Sequence, residues 1–294
     1  MDRLENRPAR LCFSPCPNDT FIFHALTAGL VPAPAALDVR LADVEVLNRW
    51  AAEGAADVCK VSAQAVAGLL SEWIALRSGG AVGYGVGPLV VAKPGVALAD
   101  LHGRPVAVPG ARTTANLLFS LACRQAGIEP RTGELVFDRI MPAVAAGEFA
   151  AGVVIHEGRF TFGQHGLSQL VDLGEWWERG FGLPIPLGLI VARRSLGEEF
   201  ARAMQQAVRA SLLAARADPA RAWPYIKKHA KEMDDAVIQR HIETFVTGFS
   251  LDVGLEERPP WPAFWPRPRA LAGLPCRGAR CSCGGRDRGG QAGA

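Results

Sequence analysis

Residues 44–62 read VEVLNRWAAEGAADVCKVS, and residues 139–156 read RIMPAVAAGEFAAGVVIH. Each stretch is a helix, a stop of small residues and glycine, and a short apolar strand ending on polar groups. In the first, Val44, Leu47 and Ala51 share one face of a helix expected over Asp43–Glu53. Gly54 follows, and the strand Val58–Val61 carries Lys60 and leads to Ser62. In the second, a helix over Arg139–Ala146 stops at Gly147, and the strand Gly152–Ile155 leads to His156 and Glu157. One such unit in each half predicts two α/β lobes. Ligands in such sheets bind outside the carboxyl ends of the strands. Lys60 and Ser62 of one lobe are therefore expected to face His156 and Glu157 of the other.

The neighbouring segments extend this pattern. Arg10–Ser14 reads as a first strand, followed by the turn Pro15-Cys16-Pro17-Asn18-Asp19 and a helix over Thr20–Ala28 with Asn18 or Asp19 as its cap. A short helix over Ala63–Leu70, strands at Pro88–Ala92 and Val106–Pro109, a helix over Thr113–Ala126 and a strand at Leu135–Phe137 come next. After a strand at Leu187–Ala192 the pattern is helical, roughly Leu196–Arg216, Ala220–His229 and Asp235–Phe245. The alternation is the α/β signature. It predicts a larger discontinuous lobe, residues 1–94 with 188–254, and a smaller inserted lobe, residues 95–187. A small lobe set into a larger one, with a ligand cleft between them, is the type II periplasmic-binding-protein architecture.

Composition narrows the function. The chain has 294 residues, 49% of them hydrophobic, enough for real cores. Its net charge of +3 is local: 7 of 32 basic residues but only 3 of 29 acidic ones lie in residues 255–294, so the remainder carries −1. That body offers no electrostatic case for nucleic acid. No apolar run reaches the roughly 18 residues of a membrane span, and MDRLENRPARLCF lacks the apolar core of a signal peptide. A soluble, cytoplasmic protein is expected. Cys12 and Cys59, inside strand-like runs, read as small hydrophobes. Cys276, Cys281 and Cys283 lack zinc-site spacing, so no metal is expected.

Five places could carry chemistry. His156, just past an apolar strand, suits a general base or is a surface histidine at a loop start. Thr113 and Thr114 open a helix, where hydroxyls and free N–H groups make either an anion site or an ordinary cap. Ser14 through Thr20 is either a rigid cleft-lining loop containing Ser14, Asn18 and Asp19 or a proline-rich turn. The run SGGAVGYGVGP (78–88) leads into a strand rather than a helix, so it reads as close-approach backbone rather than a phosphate loop. Trp176, Trp177 and Phe181 either wall a pocket or belong to a core. His102, His229 and His241 have poorer settings.

Several motifs carry a resemblance. They are SPCPNDTFIF (14–23), Asp43-Val44-Glu45, Lys60-Val61-Ser62, Leu76-Arg77-Ser78-Gly79-Gly80, Val108-Pro109-Gly110 with Thr113-Thr114-Ala115, Ile155-His156-Glu157 and Leu183-Pro184. In this order over residues 10–254 the chain resembles the 1,4-dihydroxy-6-naphthoate synthase family of menaquinone biosynthesis. The resemblance implies a two-lobed periplasmic-binding-like fold and a lyase reaction. Cyclic dehypoxanthine futalosine would yield 1,4-dihydroxy-6-naphthoate and dihydroxyacetone. It implies His156 as the base and substrate contacts at Lys60, Val61, Ser62, Thr113, Thr114 and Ala115. The expected partner is a small carboxylate-bearing substrate, with no cofactor, nucleic acid or membrane. The rival reading is a non-catalytic anion-binding protein of the same fold.

The resemblance stops after Gly254. Prolines at 259, 260, 262, 266 and 268 forbid the amphipathic helix expected there. Residues 255–294 read either as a frame-shifted stretch of GC-rich coding sequence or as a disordered extension.

Overall fold

The structure, a computed structural model, describes residues 7–231 and 234–254. The expectations for residues 255–294 lie outside them.

Eleven strands form two sheets among the described residues. In chain order the first elements are β1 (Ala9–Phe13), α1 (Pro17–Thr27), β2 (Leu37–Leu41), α2 (Val44–Ala52), β3 (Val58–Ser62), α3 (Ala63–Val66), β4 (Trp73–Ala75), β5 (Ala81–Gly83) and β6 (Leu89–Ala92). Then come β7 (Pro105–Val108), α4 (Thr114–Gln125), β8 (Arg131–Glu134), α5 (Phe137–Ala146), β9 (Ala151–Val154), α6 (Gly158–Thr161), β10 (Ser168–Asp172) and α7 (Leu173–Phe181). The chain closes with β11 (Ile185–Arg193), α8 (Glu198–Ala217), α9 (Pro219–His229), α10 (Asp235–Phe245) and α11 (Gly248–Leu251).

The first sheet runs β2-β1-β3-β11-β4, with β5 also on β11; the second runs β10-β6-β9-β7-β8. In the first, β1, β2 and β3 are parallel and β11 is antiparallel, with Gly188 opposite Ser62. In the second, β7, β8 and β9 are parallel and β6 is antiparallel, with Leu89 opposite Val154. The finishing ends of β1 and β3 therefore share an edge with the start of β11. The finishing end of β9 likewise shares an edge with the start of β6.

Three expectations are corrected, and the tryptophans take the core reading. The strand Leu89–Ala92 belongs to the second sheet, so the first crossover precedes it instead of following residue 94. Leu135–Phe137 is not a strand: the polar segment Arg131–Glu134 pairs with β7, and Phe137 begins α5. An edge strand needs backbone pairing more than apolar side chains, which is why its sequence hid it. Helix α1 begins three residues early, because Pro17 is tolerated in a first turn. Asn18 and Asp19 thus lie inside α1 rather than capping it, and the N-cap is Cys16. Trp177 is buried in the second sheet's core, and Trp176 donates its indole N–H to Gln125 at 2.7 Å. Neither tryptophan lines the main cavity.

Helix α1 is buried from Pro17 through Leu26 because α8, α9 and α10 wrap it against the first sheet. Below the site, Asp57 anchors the opposite ends of β1 and β3. Its fully buried carboxylate accepts from Arg7 Nη1 (2.6 Å), Arg10 Nε (3.0 Å) and the Arg10 backbone N–H (2.9 Å). Burial alone would raise its pKa, but these hydrogen bonds outweigh burial and hold it well below the usual carboxylate range. The glycine-rich run is close-approach backbone, as expected: a Cβ on Gly174 would lie 2.7 Å from the N and Cα of Gly87.

Two stability predictions follow from these contacts. Asp57 has a depressed folded-state pKa, so its contribution is complete above the unfolded value of about 3.9 and is lost as pH falls through the folded one. Asp57→Asn should cost about 3 kcal/mol at pH 7, with the gap to wild type closing below pH ~4 in urea titrations. Gly174→Ala should lower stability by about 1–3 kcal/mol although alanine is the better helix former. A raised thermal midpoint would contradict the backbone contact.

Candidate active site

The strand ends of the two sheets enclose a cavity of about 740 Å³, counting its open mouth. From the first sheet it is lined by Ser14, Asn18, Asp19, Lys60, Val61 and Ser62. From the second come Thr113, Thr114, Ala115, Ile155, His156 and Arg159. Leu47, Val86, Pro88, Leu187 and Phe245 supply apolar wall. The structure brings Ser14, Asn18, Asp19, Lys60, Val61, Ser62, Thr113, Thr114, Ala115 and His156 together on this cavity, whereas Glu157 is buried without lining it and Trp176, Trp177 and Phe181 lie away from it.

A buried ion pair organises the first-sheet side. Lys60 Nζ lies 3.0 Å from Asp19 Oδ1, and both side chains are nearly inaccessible. Asp19 Oδ2 also accepts from Ser14 Oγ at 2.7 Å, and Asp19 Oδ1 accepts from Asn18 Nδ2 at 3.0 Å. Lys60 donates in turn to the Gly79 carbonyl at 2.6 Å. The charges are mutually neutralised and hydrogen-bonded, which makes their burial tolerable. Gly79 is held by the C-terminal segment: its N–H donates to the Ser250 carbonyl at 2.7 Å, and Ser250 Oγ donates to the Gly80 carbonyl at 2.8 Å.

Asn48 and Thr114 join the two sides. Asn48 Nδ2 donates to Ser62 Oγ (3.1 Å) and Glu45 Oε2 (3.1 Å), and its Oδ1 accepts from the Ser62 N–H (2.9 Å). Glu45 Oε2 accepts from the Arg112 N–H at 3.2 Å. Burial raises the Glu45 pKa, an effect partly offset by these donors. Thr114 Oγ1 accepts from the Gln64 N–H (3.2 Å) and donates to the Leu187 carbonyl (3.1 Å). Thr113 caps α4, accepting from the Asn116 N–H at 3.2 Å while donating to the Gly110 carbonyl at 2.7 Å. Both hydroxyls are thus structural. The anion-binding capacity at this end of α4 rests on its first N–H groups and helix dipole.

His156 stands at the end of β9 with φ +54°, the one positive φ outside glycine among the described residues. That left-handed backbone is strained for a residue with a side chain, and such strain gathers at functional sites. The Phe137 ring meets it edge-on at 5.0 Å, and the His241 ring stacks on it at 6.0 Å. His156 Nε2 is buried without a hydrogen-bond partner. Arg159, one turn on, donates to the Gly87 carbonyl and the Asp172 carboxylate, each at 2.6 Å.

Sequence reasoning passed over His241. It is fully buried on α10, with Nε2 2.9 Å from Asn18 Oδ1 and Nδ1 3.8 Å from Glu157 Oε2. Burial first, then His156 nearby, pushes its pKa well below the ordinary histidine value. The signal was its place on the apolar stripe Ile238, His241, Ile242, Phe245, where helical spacing turns it inward. Arg159 belongs to the resemblance motif Ile155–Thr161 but takes no role from it. Among the described residues no cluster of three or more His, Cys, Asp or Glu is placed to hold a metal, and no helix is long and apolar enough to cross a membrane.

Comparison with known proteins adds relatives to this geometry. Residues 9–264 match the family described as "Menaquinone biosynthesis". The chain is 54% identical over 247 residues to the 1,4-dihydroxy-6-naphthoate synthase of Thermus thermophilus, covering 84% of this chain and 89% of that protein. It is 49% identical over 248 residues to the Streptomyces coelicolor enzyme of the same name, covering 83% and 87%. Among solved structures, a protein of Archaeoglobus fulgidus superposes with a TM-score of 0.79 at 35% identity, over 86% of this chain and 93% of that one. The alkanesulfonate-binding protein of Xanthomonas axonopodis superposes with a TM-score of 0.61 at 17% identity, over 81% and 84%. The last likeness shows the fold alone, which is periplasmic-binding-protein-like. The chain belongs to the menaquinone-biosynthesis family, whose members include the 1,4-dihydroxy-6-naphthoate synthases.

Proposed function

We propose that this chain is a carbon–carbon lyase that converts cyclic dehypoxanthine futalosine to 1,4-dihydroxy-6-naphthoate and dihydroxyacetone, with His156 as general base. The observation that carries the reading is the setting of His156. It is a strained residue at a strand end, on the cavity wall, with a buried and unpartnered ring nitrogen. The first N–H groups of α4 suit the substrate carboxylate. Lys60, Ser62 and Ser14 offer polar contacts on the opposite wall, and the apolar residues suit a flat ring system.

Removing a carbon-bound proton requires a neutral base held close to that carbon and shielded from water. Loss of the three-carbon fragment then leaves an aromatic naphthalene diol, and aromatisation favours that direction. Lys60 enters as a paired cation, so its part is to orient rather than to take a proton.

The test is incubation of the protein with cyclic dehypoxanthine futalosine, following dihydroxynaphthoate by absorbance. Return of the ligand unchanged would favour the binding-protein reading. His156→Ala should lower kcat by about 10²–10⁴-fold while ligand binding persists; full turnover would remove the assignment. Thr113→Ala should loosen the first turn of α4, at about 1 kcal/mol, and raise KM more than it lowers kcat. Thr113→Ser should restore both.

A further inference from the structure

We propose that His241 is a positioning residue for His156, a neutral ring that fixes the orientation of the base from behind without itself exchanging protons. The inference rests on the reading of His156 as the base. His156 has a left-handed backbone and follows β9 into a turn, so no ladder of backbone bonds holds it. Its ring is held from two sides instead, by Phe137 of α5 and by His241 of α10. The His241 ring lies 26° from parallel with it, as a wall would.

A chain of hydrogen bonds reaching back to the buried ion pair fixes the tautomer of that wall, while the ring itself supplies the support. Asn18 Nδ2 donates to the Asp19 carboxylate, so the Asn18 carbonyl oxygen is the atom facing His241. His241 must then carry its hydrogen on Nε2 to donate to it at 2.9 Å, which leaves Nδ1 as the bare nitrogen. The ionisable groups around it are His156 and Glu157 from the turn after β9, and Asp19 with Lys60 behind Asn18. Protonating His241 would set a positive charge beside the base and disfavour its protonated form. A histidine kept neutral by full burial avoids this. Helix α10 also packs on α1 while Arg240 covers the Phe160 ring at 4.7 Å. The wall is therefore anchored on both sides of the cavity.

The test separates the ring from its polar atoms. His241→Phe keeps a ring beside His156, His241→Gln keeps a donor for Asn18, and His241→Ala keeps neither. We expect His241→Phe to retain kcat within about fivefold, and the Gln and Ala variants to lose tenfold or more in kcat with KM nearly unchanged. The pH profile of kcat should keep its acidic limb in His241→Phe, because His241 is not the group that titrates. The proposal is overturned if His241→Gln works as well as wild type, if the losses fall on KM alone, or if His241→Phe is as inactive as His156→Ala. His156→Ala is run alongside: an active His156→Ala removes the base assignment itself, whereas an inactive one with a fully active His241→Ala removes only the role of His241.

Discussion

The buried pair of Asp19 and Lys60 is the contact on which the rest of the site depends. Two charges out of water are stable only when they face each other and their remaining hydrogen-bonding positions are filled. Ser14 and Asn18 fill those of the carboxylate, and the Gly79 carbonyl accepts from the ammonium. Each of these partners connects to something further. Asn18 orients His241, His241 backs His156, and the Gly79 segment is pinned by residues 250–253 at the C-terminal end of the described chain. The helix α1 that carries Asn18 and Asp19 is buried through its length, so the pair cannot relax outward.

The two sheets supply what one sheet could not. The first offers a polar wall without net charge, because its cation and its carboxylate cancel. The second offers a strained histidine and a helix start whose first N–H groups lack intrahelical partners. Between them lie aliphatic and aromatic side chains, so polar groups address only the edges of a ligand. Asn48 and Thr114 hold the two walls in register through hydrogen bonds of 3.1–3.3 Å that cross from one to the other. On the proposed reading, this periplasmic-binding-like scaffold carries a base, His156, between its two sheets.

Much of this was legible from sequence, and the parts that were not have physical reasons. The apolar strands β1, β3, β6, β7, β9 and β11 stood out because both faces of their sheets are covered. The polar edge strand Arg131–Glu134 did not, since its pairing needs no apolar pattern. The polar residues after buried strands marked the cavity because chain geometry places them at one edge. His241 escaped notice because a histidine near the end of a chain's helices is commonly exposed, although its place on the stripe with Ile238, Ile242 and Phe245 points it inward. The threonines at α4 were found, but their hydroxyls are spent on the cap and on Leu187, which spacing alone does not reveal.

The measurement that tests the account most directly is a crystal structure of the His156→Ala protein with cyclic dehypoxanthine futalosine. The account predicts intact substrate between the two sheets, its carboxylate on the first N–H groups of α4 and its ring system against the space left by the imidazole. Substrate bound elsewhere, or with its carboxylate turned toward Ser14 and Lys60, would contradict it.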